Sequence, residues 1–107
     1  MNYKIELSPN FKKEAKKLTK KYPSLKSELA ALFEQLEANP TLGTSIGKDI
    51  YKIRLAIASK NKGKSGGARV MSFVQVTQTT VLLFSIFDKS DKESISDNEI
   101  QELLKDY

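Results

Sequence analysis

Val81–Phe87 reads VLLFSIF, with apolar side chains on both parities of an extended chain. A short segment that is apolar towards both sides is a strand from the middle of a sheet, so the rest of the chain must provide its neighbours. Three other segments alternate. Tyr3, Ile5 and Leu7 fall on one side of Tyr3–Leu7, and Lys4 and Glu6 on the other. In Ile50–Ile57, Tyr51, Ile53, Leu55 and Ile57 share one face, and Lys52, Arg54 and Ala56 the other. In Arg69–Val76, Val70, Val74 and Val76 oppose Arg69, Met71, Phe73 and Gln75. Period two of this kind specifies strands with one buried face. Thr77–Thr80 supplies a polar hairpin turn before the central strand.

Between the first two strands the period becomes helical. Ser8-Pro9 pairs an N-cap with proline at the first helical position, and Phe11, Ala15, Leu18 and Tyr22 then recur on one face of a helix from Pro9 to about Lys21. Pro23 breaks the chain. Ser24 is placed to cap a second helix ending near Asn39, with Leu25, Leu29, Leu32, Phe33 and Leu36 as its apolar stripe. So short a turn makes an antiparallel helical hairpin lying on the sheet. Thr41–Asp49 reads as a loop, and Ser59–Gly67 as a Lys/Gly/Ser connection. Ser96-Asp97-Asn98-Glu99 fits a capping box opening a last helix with Ile100, Leu103 and Leu104 inward. The expectation is one α+β domain spanning 1–107: a mostly antiparallel sheet, a helical hairpin packed on one face and a short C-terminal helix, in the order β-α-α-β-β-β-α.

Composition removes several chemistries. There is no histidine and no cysteine, so Ser-His-Asp and Cys-His catalysis, His-based zinc sites, thiolate metal sites and disulfides are excluded. No apolar run approaches the roughly 18 residues that span a bilayer, and no secretory signal is visible in MNYKIELSP. These features fit a cytoplasmic location without a membrane partner. GKS at 63–65 resembles the end of a phosphate-binding loop, but position 58 is alanine where the first glycine belongs, and the segment leads into a strand. Asp88, Asp91 and Glu93 are interleaved with Lys89 and Lys92. They read as a charge-balanced loop, so neither a metal nor another cofactor is expected.

What remains is charge. The net charge of +5 is unevenly spread: residues 1–27 hold eight lysines against two glutamates, while 88–107 hold seven acids against three lysines. Lys52, Arg54, Lys60, Lys62, Lys64 and Arg69 fall in a stretch, 50–87, that contains no acid. If the apolar face of Ile50–Ile57 meets the helices, Lys52, Arg54 and Arg69 share an open sheet face, with Lys60, Lys62 and Lys64 in the adjoining loop and Lys89 at the end of the central strand. Lys12/Lys16/Lys20 and Lys13/Lys17/Lys21 form two rows on the first helix, where like charges four apart oppose helix stability. Such surfaces attract polyanions. One outcome is a basic nucleic-acid-binding module without catalysis. A sharper one is RNA cleavage, in which the substrate's own 2′-OH attacks the adjacent phosphate. The protein then has only to move protons and stabilise the added charge. Arginine suits the second task, being bidentate towards phosphate and permanently charged; lysine suits the first only where neighbouring cations lower its pKa.

The segments NPTLGTSIG (39–47), IYKIRLA (50–56), KGKSGGARV (62–70) and VLLFSIFDKSDKE (81–93), with the helical hairpin and the C-terminal helix, resemble the RelE/HigB superfamily of toxins from type II toxin–antitoxin modules along essentially the whole chain. KGKSGGAR points to the HigB-like branch. The resemblance implies a RelE-like fold and a ribosome-dependent mRNA endoribonuclease that acts in the ribosomal A site and is neutralised by a cognate antitoxin. It implies catalytic roles for Lys52, Arg54 and Arg69, the last stabilising the transition state. Ser90 stands where the family has a later arginine, which leaves Lys89 and Lys92 nearest to that role. RNA contacts fall on Lys60, Lys62, Lys64, Lys92, Lys12, Lys13, Lys16 and Lys20. A ParE-like gyrase inhibitor, sharing the fold without the nuclease activity, is the alternative.

Overall fold

The strand that is apolar on both sides, β5 (Thr80–Asp88), is buried along its whole length. It lies inside a five-stranded sheet in the computed structural model, which describes residues 2–60 and 66–107. Its neighbours are β1 (Lys4–Leu7), parallel to it, and β4 (Ala68–Gln75), antiparallel. β3 (Ile50–Leu55) follows β4, and β2 (Thr44–Ser45) forms the far edge. β2 lies in the stretch expected to be a loop. Only two residues long, it pairs with Tyr51 and Lys52 alone, too short to show a period. β4 stops at Gln75. Val76 turns outward in a single 3₁₀ turn and is exposed, not on the inner face, and Thr79 at φ 51° closes the hairpin.

The helical hairpin is α1 (Pro9–Lys21) and α2 (Leu25–Ala38). Ser8 caps α1, its Oγ accepting from the Phe11 N–H at 3.1 Å. Ser24 does not cap α2. Its hydroxyl instead accepts from the Ser59 N–H (2.9 Å) and donates to Glu28 (3.1 Å), while the other Glu28 oxygen accepts from the Ala58 N–H (2.7 Å). The hairpin is thereby tied to the turn that follows β3. Phe11, Leu25, Leu29, Leu32 and Leu36 pack against Ile53, Ile57, Val70, Leu83 and Ile86 to make the main core.

The opposite sheet face is not open. α3 (Asp97–Leu104), capped by Ser96, lays Ile100, Leu103 and Leu104 over Ile50, Met71, Phe73, Leu82, Phe84 and Phe87, forming a second core. The α+β class and the helical-hairpin arrangement agree with expectation; the coverage of this face does not. The physical reason is plain, since Met71 and Phe73 on that face, and the apolar stripe of α3, each need burial.

β5 carries a bulge. Ser72 of β4 pairs with Leu83, but Met71 pairs with Ser85, leaving Phe84 over. The extra residue shifts side-chain parity. Leu83 and Ile86, three apart, therefore both enter the main core, while Phe84 and Phe87 both enter the second. Asp88 consequently turns towards the hairpin side, where the Tyr22 hydroxyl donates to it at 2.7 Å.

β3 and β4 lie close where they are joined. A Cβ on Gly67 would sit 2.1 Å from the carbonyl oxygen of Leu55, backbone that cannot swing aside. Gly67→Ala is expected to destabilise the fold by about 1–3 kcal/mol, read as a lowered urea midpoint with unchanged m-value.

Candidate nucleic-acid interface

Lys52, Arg54 and Arg69 lie on the face covered by the second core. β3 is antiparallel to β4 with Arg54 directly opposite Arg69 and Lys52 opposite Met71, and directly paired residues project on one side. Lys52 and Arg54, two residues apart on one strand, are separated by about 7 Å. Arg54 is exposed and Lys52 half-buried, whereas Arg69 is 4% exposed. Its Nη1 donates to the Ala68 carbonyl at 3.1 Å. Burial, and secondarily the Arg54 charge, pull the Arg69 pKa below the ordinary guanidinium value. Like charges set opposite each other across strands work against folding. An anion bound between or above two paired guanidiniums offsets their mutual repulsion.

The next strand continues the row. Arg69 pairs with Phe87, and the Lys92 ammonium lies 5.4 Å from the centroid of that ring while bonding Glu99 at 2.8 Å. Lys89 is half-buried at the end of β5, its N–H bonding the Gly67 carbonyl at 3.1 Å.

Lys60 is placed elsewhere. Its side chain is buried and forms an ion pair with Asp88, and also reaches Ser90 Oγ (2.8 Å) and the Gly66 carbonyl (2.7 Å). In this position its ammonium is committed within the protein and does not face a solvent-side phosphate. Asp88 is correspondingly not part of a solvated, charge-balanced loop. Burial opposes its ionisation, but hydrogen bonds from Lys60, Tyr22 and the Ser90 N–H outweigh that and hold its pKa at about 2, below the usual 3.8. A depressed carboxylate stabilises the fold at pH values above its unfolded pKa and ceases to do so as pH falls through the folded one. About 2 kcal/mol of stability is therefore expected to disappear between roughly pH 4 and pH 2. Thermal unfolding across that range measures it, and Asp88→Asn should flatten the profile.

Lys62 and Lys64 lie outside the described residues. Lys12, Lys13, Lys16 and Lys20 are all exposed on α1, but only Lys13 borders the groove between α1 and the end of β5, in company with Lys17 and Lys21. Those two were visible in sequence as one row with Lys13; what marks them out is that this row, and not the other, faces the groove. Among the described residues no three carboxylates converge as a metal site, and no helix is long and apolar enough to cross a membrane.

A five-stranded sheet with a helical hairpin on one face and a C-terminal helix on the other is the fold of E. coli toxin RelE. The structure superposes on a doubly arginine-substituted form of that protein in the free state with a TM-score of 0.69, at 20% sequence identity, over 97% of this chain and 100% of the other. The family profile described as RelE toxin of RelE / RelB toxin-antitoxin system matches residues 4–106. The chain belongs to the RelE toxin family.

Proposed function

We propose that the chain is the toxin of a toxin–antitoxin pair and works as a ribosome-dependent mRNA endoribonuclease, inhibiting translation in the cytoplasm by metal-independent cleavage. The observation that carries this reading is the direct cross-strand pairing of Arg54 with Arg69, in a chain without histidine or cysteine. The substrate supplies the nucleophile: the 2′-oxygen attacks the adjacent phosphorus, the bond to the 5′-oxygen breaks, and a 2′,3′-cyclic phosphate and a 5′-hydroxyl result. Arg54, exposed, meets the phosphate and stabilises the charge that develops on its oxygens. Arg69 contributes a fixed positive charge from beneath, in surroundings where water screens it less. Lys52, on the same face, is the candidate for handling the 2′-OH proton, with Lys89 and Lys92 nearest for the leaving oxygen. A cognate antitoxin and the ribosomal A site are the partners this reading requires.

Translating ribosomes programmed with a defined mRNA provide the test. New 3′ ends that map within the A-site codon and carry a 2′,3′-cyclic phosphate are expected. Intact mRNA together with inhibited DNA supercoiling by gyrase would replace this reading with the ParE-like one.

A further inference from the structure

Lys13, Lys17 and Lys21 are exposed and stand four residues apart on α1, so each advances about 6 Å along the helix. They wall a groove with Ile86 and Phe87 on its floor and Asp91 and Lys92 on its far side. Two of the groove's three carboxylates are already engaged by the protein. Glu14 Oε1 accepts from Asn10 Nδ2 (2.8 Å), Ser85 Oγ (3.0 Å) and the Ile86 N–H (3.2 Å), bonds that cover the β5 edge beyond the reach of β1. Asp88 is held by Lys60 and Tyr22. Asp91 alone is exposed. The groove is thus positive along one wall, and a linear row of charges suits a linear polyanion better than a compact anion.

The groove lies on the hairpin side of β5 and meets the arginine side at Phe87. Phe87, part of its floor, is the cross-strand partner of Arg69, and Lys92 lies over the Phe87 ring. We infer that the Lys13/Lys17/Lys21 groove is a second contact for an RNA phosphodiester backbone, continuing past Lys92 the path of the strand held at Arg54 and Arg69. This rests on the reading of the chain as an RNA-directed toxin. It gives the row facing β5 a role that the Lys12/Lys16/Lys20 row does not share, and it makes Asp91 an opposing charge.

Binding of a single-stranded RNA carrying 2′-O-methyl groups throughout, which cannot be cut, is measured over a salt series for the intact chain and three variants. A duplex of the same RNA is run in parallel. Each phosphate contact to a single strand contributes roughly 0.7 to the slope of log K against log salt. Lys13→Gln/Lys17→Gln/Lys21→Gln is therefore expected to make the slope shallower by about 2, and Asp91→Asn to tighten binding, an outcome that damage to the fold would not produce. Lys12→Gln/Lys16→Gln/Lys20→Gln is expected to change the slope less. An unchanged slope in the first triple variant overturns the inference, as does an equal loss from the second, which would mean general surface charge. A slope change confined to the duplex overturns the continued single-strand path. If the intact chain binds neither RNA, the groove fails while the proposed function still stands or falls by the ribosome assay; if it binds and the groove variants change nothing, the groove alone fails.

Discussion

Arg54→Ala and Arg69→Ala are each expected to lower mRNA cleavage by about 10²–10³-fold, the usual effect of removing one donor that stabilises transition-state charge. The two differ in what else they change. Arg54 is exposed, so its loss should act on cleavage with little effect on the urea midpoint, and Arg54→Lys should restore only part of the rate, because an ammonium lacks the bidentate fork. Arg69 is buried opposite it. Truncating it also removes its hydrogen bond to the Ala68 carbonyl and empties buried space, so its loss should lower the urea midpoint as well as cleavage. Cleavage rates in the ribosome assay that stay within threefold of the intact chain for both variants would remove the arginine pair from the chemistry.

The largest effect on stability is expected at Asp88. Asp88→Ala leaves the Lys60 ammonium buried without its carboxylate partner and strips an acceptor from Tyr22. Breaking a buried pair from one side costs about 3–5 kcal/mol, a large share of the roughly 5–15 kcal/mol available to such a domain. Chemical denaturation measures it directly. Adding Lys60→Met to an Asp88→Asn background should recover more than half of the loss, since the stranded charge is then gone. A double variant no more stable than Asp88→Asn alone would show that the charge pair is not the origin of the effect.

Much of this architecture was legible because period and caps are local. Ser8 capping α1 and Ser96 capping α3 can be read within a few residues, and the structure shows them. The second core was present in the sequence as an unresolved demand. Met71 and Phe73 share a face with Arg69, and α3 has an apolar stripe of its own, so one had to cover the other. Assigning all helical cover to the hairpin hid that. Lys60 was illegible for a different reason. Its partner is 28 residues away, and nothing in a Lys/Gly/Ser segment distinguishes a lysine that will be buried beside a carboxylate from one that will remain in solvent. Ser24 is a similar case, a serine in cap position whose hydroxyl serves a turn 35 residues on.

The bulge in β5 was hidden too, because a strand apolar on both sides carries no alternation for an extra residue to interrupt. Its consequence is a separation of opposite charges. Were Ser72↔Leu83 followed by regular pairing, Ile86 would stand across from Arg69, and Asp88, level with Gly67, would project from the guanidinium side of the sheet. There it would compete with any phosphate for the two arginines. One surplus residue works as a half-turn in the strand's phase, sending the only carboxylate at the end of β5 through to the other side. The Asp88 carboxylate thus stands across the sheet from the paired arginines, where its bonds to Tyr22 and Lys60 hold the hairpin in place.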